Sequence, residues 1–208
     1  GRSGAGKSTL IDLIMGLMQP EAGEIRVDGK LITGNNLLPF RRSIGYVAQD
    51  PFLYNASIRD NLMMIKPDSH EDELWEALEF ASCADFVRKL PEGIDTLIGD
   101  RGVRLSGGER QRLVLALAMI RKPSILVLDE ATSALDTENE KKIQEALERL
   151  KHSITIIVIA HRLSTIRNAD QILVIDNGHV VQQGMFTGLA SEQGGIFRSL
   201  LSNQEEAM

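Results

Sequence analysis

Residues 1–8 read Gly1-Arg2-Ser3-Gly4-Ala5-Gly6-Lys7-Ser8, a glycine-rich run that ends in a lysine and a hydroxyl side chain. This is the spacing of a P-loop, in which backbone N–H groups surround phosphate oxygens at the N-terminus of a helix. Gly4 and Gly6 let the backbone approach those oxygens without a Cβ in the way. Lys7 brings a positive charge to the β- and γ-phosphates, and the Ser8 hydroxyl can ligate Mg²⁺. The stretch therefore predicts a nucleotide site.

The sequence after the P-loop predicts the helix that such a loop opens. Apolar residues recur at helical spacing until Pro20 ends the run, at Leu10, Ile11, Leu13, Ile14, Leu17 and Met18. A P-loop also needs a buried strand before it, so we expect the N-terminal strands of the domain to be absent from these 208 residues. Without those strands we expect weak nucleotide binding, negligible hydrolysis and association through the vacant sheet position.

Composition excludes several classes of protein. The 23 Lys and Arg against 29 Asp and Glu give a net charge of −6, which argues against a nucleic-acid-binding domain. The longest apolar run, 156–160, is far shorter than the roughly 20 residues that cross a bilayer. The single cysteine, Cys83, excludes an internal disulfide and a multi-cysteine metal site, and we interpret it as a small buried residue.

The rest of the chain indicates an α/β body around a helical insert. The runs 125–128 and 154–159 have strand length and continuous apolar character, and the helix between them has an apolar stripe. Strand, helix and strand of this kind predict a parallel sheet flanked by helices. The pairs Asp28-Gly29 and Asn177-Gly178 predict hairpin turns, and 57–120 predicts helices.

A second motif, Asp129-Glu130, ends the apolar run 125–128. Ligands bind at the carboxyl ends of parallel strands, so Asp129 can hold Mg²⁺ there. Glu130 points another way and can polarise a water for in-line attack on the γ-phosphate. Gln49 and His161 each follow a predicted strand and reach the same edge of the sheet.

A third motif, Leu105-Ser106-Gly107-Gly108-Glu109-Arg110-Gln111, precedes the run 113–120, which is apolar all round and predicts a fully buried helix. A serine at a helix cap, with two glycines behind it, forms another anion cradle from its hydroxyl, free N–H groups and the helix dipole. It lies too far along the chain, on another subdomain, to reach the nucleotide of the first cradle. The arrangement predicts a second copy of the chain.

The run LSGGERQR at 105–112 resembles the signature motif of ATP-binding cassette (ABC) proteins. The order of P-loop, Gln49, signature, Asp129-Glu130, the run 133–136 and His161 is similar to the nucleotide-binding domain of that family. The resemblance implies a P-loop NTPase fold with a mainly parallel sheet, in one ABC-type ATPase domain. Its α/β core is expected at 1–56 and 122–208, and its helical subdomain at 57–121.

The resemblance also implies a head-to-tail dimer with two ATP molecules between the P-loop of one copy and the signature of the other. The P-loop residues Gly1, Arg2, Ser3, Gly4, Ala5, Gly6, Lys7, Ser8 and Thr9 would hold phosphates, with Mg²⁺ on Ser8. Gln49 would sense the metal and the attacking water, Asp129 would support Mg²⁺, and Glu130 would act as general base. Ser106, Gly107 and Gly108 would contact the γ-phosphate bound to the opposite copy. Asp136 would join the two sites, and His161 would contact the γ-phosphate.

Two further segments, 50–62 and 96–102, resemble those by which exporter cassettes touch their membrane domains. They favour the ATPase domain of an exporter at the cytoplasmic face of a membrane, with a transmembrane domain fused upstream. The alternatives are a soluble ABC-type ATPase that acts on nucleic acid or ribosomes, an importer subunit, and a simple P-loop kinase. The net charge disfavours the first, and the signature motif is unexplained by the last.

Overall fold

The computed structural model describes residues 1–2, 4–50, 52–129, 137–151, 153–160 and 166–205. The chain packs as two compact units, Gly1–Leu37 with Val158–Met208, and Leu38–Ile157. The helices are α1 Lys7–Ile14, α2 Leu37–Arg42, α3 Ile58–Ile65, α4 Glu71–Phe80, α5 Ala84–Lys89, α6 Gly107–Met119, α7 Thr137–Leu150, α8 Phe186–Ser191 and α9 Ile196–Glu205. The strands are β1 Arg26–Val27, β2 Lys30–Leu31, β3 Ile44–Val47, β4 Ile125–Asp129, β5 Thr155–Ile159, β6 Ile172–Asp176 and β7 His179–Gly184.

The central sheet has the order β3-β4-β5, with β3 and β4 parallel. Ile44 lies opposite Ile125 at one end of this pair, and Val47 lies opposite Leu128 at the other. Residues 125–128 are all buried, which agrees with the continuous apolar run. The predicted parallel α/β sheet is confirmed. Strand β5 is less buried than its apolar sequence suggests, because only Ile159 is fully covered and β5 lies at one side of the sheet order.

Helices α3 to α6 pack as the predicted helical region. Its fully buried side chains include Ile58, Leu62, Leu74, Leu78, Val87, Leu113 and Leu115. The acids of α4 are on the solvated side, since Leu74, Ala77 and Leu78 are its buried residues. Cys83 is completely buried, and burial raises the pKa of its thiol. Cys83 is therefore a small core residue, as predicted.

Two helix predictions need correction. Helix α1 ends at Ile14 and not near Pro20, because Gly16 adopts a left-handed conformation with φ 68°. The N–H groups of Gly16 and Leu17 bond to the carbonyls of Leu13 and Asp12, which is a Schellman motif. Helix α6 is buried over 111–116, but 117–119 are only half-buried because they line surface cavities.

The hairpins predicted from turn pairs are present. Strands β1 and β2 pair antiparallel, and so do β6 and β7, around Asn177-Gly178. A small core of Ile172, Val174, Leu189 and Phe197 packs β6 against α8 and α9. In the described part of the chain, no helix combines the length and apolar character needed to cross a bilayer.

Gly45 of β3 marks a close approach between the central sheet and α6. A Cβ at this position would lie 2.6 Å from the carbonyl oxygen of Ala118 and 3.0 Å from Cγ of Pro123. Both neighbours are backbone or ring atoms that cannot rotate away. We expect Gly45→Ala to lower the free energy of unfolding by about 2 to 3 kcal/mol, measured by urea denaturation.

Gly188 in α8 is the matched control, because a Cβ there would meet nothing within 4 Å. Gly188→Ala is expected to be neutral or to stabilise by up to about 1 kcal/mol, since alanine favours the helix. Equal stability of the two variants would show that β3 and α6 are not in close contact.

Candidate nucleotide site

The P-loop has the geometry of an anion cradle. Gly4 and Gly6 adopt left-handed conformations with φ 76° and 97°, which side chains rarely tolerate. Gly6 is the N-cap of α1, and no side chain caps this helix. The first N–H groups of α1 therefore remain available to an anion, and the helix dipole adds to the attraction.

Lys7 lies across the loop that it follows. Its ammonium group donates hydrogen bonds to the carbonyl oxygens of Gly1 at 3.1 Å and Arg2 at 2.9 Å. Ser8 and Thr9 are exposed on the first turn of α1. Lys7, Ser8 and Thr9 thus follow the cradle directly, and their role in holding phosphate stays a prediction.

The turn between β6 and β7 supports the P-loop, which the sequence reasoning missed. The N–H of Gly178 donates to the carbonyl oxygen of Ala5 at 3.0 Å. A Cβ on Gly6 would lie 3.5 Å from Cα of Gly178, and a Cβ on Gly1 would lie only 2.0 Å from the carbonyl oxygen of Ile175. The only sequence signal for this support is the turn pair Asn177-Gly178, which predicts a hairpin but does not indicate that the hairpin contacts the P-loop.

Gln49 and Asp129 lie at one edge of the central sheet. Asp129 is the last residue of β4, and Gln49 is exposed two residues after β3 ends. Since Val47 is opposite Leu128 in the parallel pair, both strands end at the same edge. The Tyr46 hydroxyl donates to Oδ2 of Asp129 at 3.4 Å. The sequence did not predict this hydrogen bond, because the alternation of residues along a strand indicates which face of the sheet Tyr46 occupies but not which residue lies beside it.

Ser106 is the N-cap of α6. Its Oγ accepts from the N–H of Glu109 at 3.3 Å and donates to Oε2 of Glu109 at 2.7 Å. The same carboxylate oxygen accepts from the N–H of Ser106 at 2.9 Å. This is a reciprocal capping box. Gly107 is exposed and a Cβ there would meet nothing within 4 Å, whereas Gly108 is buried.

Four predicted site residues, Ser3, Glu130, Asp136 and His161, lie outside the described residues. Their roles stay predictions. The P-loop belongs to the first compact unit, while Gln49, Ser106 and Asp129 belong to the second. Each half of the predicted site is therefore described by itself.

The donor atoms suit magnesium. Mg²⁺ prefers oxygen ligands, keeps several waters, and takes one or two protein groups together with substrate phosphates. Ser8 offers an exposed hydroxyl and Asp129 a half-buried carboxylate. Within the described ranges, no three His, Cys, Asp or Glu side chains cluster as a metal cage. Each of these two oxygens, taken in its own compact unit, is of the kind that Mg²⁺ binds beside nucleotide and water.

Comparison with known proteins gives the family. Residues 1–133 match the family described as ABC transporter. The chain belongs to this family. It is similar to the solved structure described as a bacterial Atm1-family ABC exporter with ATP bound, with 39% identity and a TM-score of 0.91, covering 98% of this chain and 36% of that chain.

Curated ABC transporters are also similar to the chain. It is 44% identical over 206 residues to ABC transporter B family member 21 of Arabidopsis thaliana, covering 99% of this chain and 16% of that protein. It is 47% identical over 198 residues to the ATP-dependent lipid A-core flippase of Syntrophus aciditrophicus, covering 95% of this chain and 33% of that protein. The chain thus spans a third or less of these relatives. The ABC-type P-loop fold predicted from the order of motifs is confirmed.

Proposed function

We propose that this chain is the ATP-hydrolysing domain of an ABC exporter and works at the cytoplasmic face of a membrane. The observation that carries the proposal is its likeness, over 98% of its length, to an exporter with ATP bound. The P-loop geometry supports the same chemistry, because α1 begins at an uncapped, glycine-lined turn. Inverted membrane vesicles test the proposal: ATP added outside should be hydrolysed without detergent, whereas a requirement for permeabilisation would contradict the placement.

The binding half of the mechanism rests on residues 1–9. Backbone N–H groups of Gly1, Arg2, Ser3, Gly4, Ala5 and Gly6 and of the first turn of α1 hold the phosphates. Lys7 exchanges its two carbonyl partners for the β- and γ-phosphates, and this exchange adds a cost to binding. Ser8 and Thr9 bind phosphate and Mg²⁺ from the same turn. When bound, Mg²⁺ neutralises charge on the phosphates.

The hydrolytic half rests on the edge of the central sheet. Glu130 accepts the proton of the attacking water, and Gln49 and His161 orient the water and the γ-phosphate. Asp129 supplies a metal ligand, and Tyr46 fixes that carboxylate by its hydrogen bond. The products are ADP and inorganic phosphate. We also propose that a single copy of the chain hydrolyses ATP slowly, because a full site needs a second copy.

The second copy supplies the signature. Ser106, Gly107 and Gly108 of one copy bind the γ-phosphate held by the P-loop of the other, and Asp136 connects the two sites. The support is the exposed position of Ser106 and Gly107 at the N-terminus of α6. The hydroxyl, the N–H groups and the helix dipole all favour an anion there.

A transmembrane domain, fused upstream, is the proposed mechanical partner. The segments 50–62 and 96–102 lie side by side, joined by a bridge between Ser57 and Leu97 and by the bond from the N–H of Ile98 to the carbonyl of Ala56. These segments expose Phe52, Tyr54 and Leu97, and Val103 is exposed directly after the second segment; we call these four residues the apolar patch. Phe52 and Tyr54 pack edge to face at 5.0 Å. An exposed apolar patch of this kind favours a protein partner.

A groove of about 360 Å³ extends this patch, since Phe52 also lines the groove. Its walls include Ile44, Met64, Val114 and Leu117, and its lining carries Arg41, Arg42 and Arg121. Arg121 is fixed by a 2.6 Å hydrogen bond to the carbonyl of Ile65. We propose that the groove takes an amphipathic intracellular segment of the membrane domain that presents carboxylates to these arginines.

Phe52→Ser tests this docking. Phe52 is 59% exposed, so the change should leave the melting temperature nearly unaltered. Loss of the apolar contact should reduce substrate-stimulated ATP hydrolysis several-fold in the membrane-embedded protein, while basal hydrolysis persists. Leu31→Ser, a 40% exposed apolar residue on β2, is the control and should keep stimulation. Unchanged stimulation in Phe52→Ser would contradict docking at the apolar patch.

The other functions considered from the sequence gain no support. The relatives above are named as a transporter, an exporter and a flippase. The net charge of −6 disfavours nucleic acid as a partner.

A further inference from the structure

Glu109 accepts a hydrogen bond from the Ser106 hydroxyl, which the proposed dimer needs for the γ-phosphate. Oε2 of Glu109 accepts from Oγ of Ser106 at 2.7 Å, a length typical of a charge-assisted hydrogen bond. The same oxygen accepts from the N–H of Ser106 at 2.9 Å. Ser106 itself is exposed, so a ligand can reach its hydroxyl. The Ser106 side chain is therefore accessible to a ligand, but its hydroxyl proton is directed at Glu109.

A serine hydroxyl has one proton to donate. If Ser106 donates to the γ-phosphate bound to the opposite copy, the proton must turn away from Glu109. The carboxylate oxygen would then face the lone pairs of Oγ without a hydrogen between them. Two anionic oxygens would also contact one hydroxyl, which places them within about 5 Å of each other. Closure of the two copies on ATP therefore requires the hydrogen bond from Ser106 to Glu109 to break.

We propose that Glu109 is a built-in competitor of the γ-phosphate for the Ser106 hydroxyl and that it weakens closure of the two copies on ATP. This inference rests on the proposed function. Glu109 acts through Ser106 and is a positioning residue. Its carboxylate keeps the cap of α6 intact in the open state and must move aside when the γ-phosphate arrives. After hydrolysis, re-formation of the hydrogen bond from Ser106 to Glu109 favours separation of the copies.

Two neighbouring arginines donate hydrogen bonds to backbone carbonyls. Nη1 of Arg110 donates to the carbonyl of Arg101 at 3.5 Å, and Nη1 of Arg104 donates to the carbonyl of Leu97 at 3.2 Å. The guanidinium of Arg112 lies 5.6 Å from the ring centre of Phe86. The contacts of Glu109 that carry the proposal are its hydrogen bonds with the hydroxyl and the N–H of Ser106.

Glu109→Gln is the direct test. An amide keeps an oxygen that can accept both hydrogen bonds of the capping box, but it carries no charge. We expect the dissociation constant of the dimer, measured by sedimentation with a non-hydrolysable ATP analogue, to fall by on the order of tenfold. Binding of the analogue to a single copy, measured at concentrations below dimerisation, should stay within about twofold of the unchanged protein.

Glu73→Gln is the matched control for net charge. Glu73 forms the same kind of capping box at the start of α4, where it accepts from the N–H of His70 at 3.0 Å. We expect no change in dimerisation from this variant. A tightening as large as that of Glu109→Gln would overturn the proposal in favour of a general charge effect.

Ser106→Ala separates the hydroxyl from simple repulsion. In a double-mutant cycle, Glu109→Gln should tighten the dimer much less when residue 106 has no hydroxyl. An equal gain in both backgrounds would overturn the competition for the proton. A dimer that forms with ATP but is unaffected by Glu109→Gln would overturn the inference and leave the proposed function standing. The absence of any ATP-dependent dimer would contradict both the inference and the proposed function.

Discussion

Replacing Glu130 by glutamine in a complete cassette is expected to preserve ATP binding and to lower ATP hydrolysis by about two to four orders of magnitude. The amide cannot accept the proton of the attacking water, whereas the P-loop that holds the phosphates is untouched. Because the bound ATP persists, the two copies should remain closed on it. Steady-state phosphate release and sedimentation with ATP measure the two effects in the same preparation.

Lys7→Ala is the contrasting variant. Loss of the ammonium group removes a charge from the β- and γ-phosphates, so affinity for ATP should fall together with hydrolysis. Comparing the two variants thus distinguishes a residue needed only for hydrolysis, Glu130, from one needed also for ATP binding, Lys7. Hydrolysis at the unchanged rate in Glu130→Gln would show that another residue takes the proton.

Ser106→Arg is expected to abolish ATP-driven dimerisation while one copy binds ATP almost normally. The bulky cation would replace an exposed serine at the N-terminus of α6 and remove the cap that Ser106 provides. Loss of this cap costs about 1 kcal/mol, so melting should shift only modestly. Sedimentation with a non-hydrolysable ATP analogue measures the dimer, and fluorescence titration measures the single copy.

Ser202→Arg is the control, because Ser202 is an exposed serine in α9. It should dimerise like the unchanged protein. ATP-driven dimers of Ser106→Arg, with an affinity close to that of the control, would contradict a signature that works across the interface.

Local sequence predicted the elements whose causes are local. The continuous apolar run 125–128 is a fully buried strand because both faces of that strand are covered. The turn pairs Asp28-Gly29 and Asn177-Gly178 made their hairpins because each supplies two successive residues with positive φ.

The errors came from competing local signals and from long-range packing. Gly16 ends α1 before Pro20, since a left-handed glycine can complete a Schellman motif while apolar residues still follow at helical spacing. The apolar residues 117–119 of α6 are half-buried, because cavities lie beside them. Periodicity cannot indicate which part of an apolar helix is left uncovered.

The site was predictable as residue types and not as contacts. Spacing alone indicated that residues 1–8 bind phosphate, and strand ends indicated Gln49 and Asp129. The contact of Gly178 with Ala5 joins residues far apart in sequence, as does the contact of Tyr46 with Asp129. Such contacts depend on the register of the sheet and on the path of the loops, which one sequence does not specify.

Mixing two inactive variants tests most directly whether the ATP site is shared between two copies. Lys7→Ala has a damaged P-loop and an intact signature, and Ser106→Arg has the reverse. If the site is shared head to tail, a mixed dimer contains one intact site, and the dimers in an equal mixture are the mixed ones because neither variant dimerises alone. ATP-dependent association should then reappear on mixing, and ATP occlusion should reach about half of the unchanged level per dimer, since one of the two sites is intact. No recovery on mixing, with both proteins folded, would contradict the head-to-tail site.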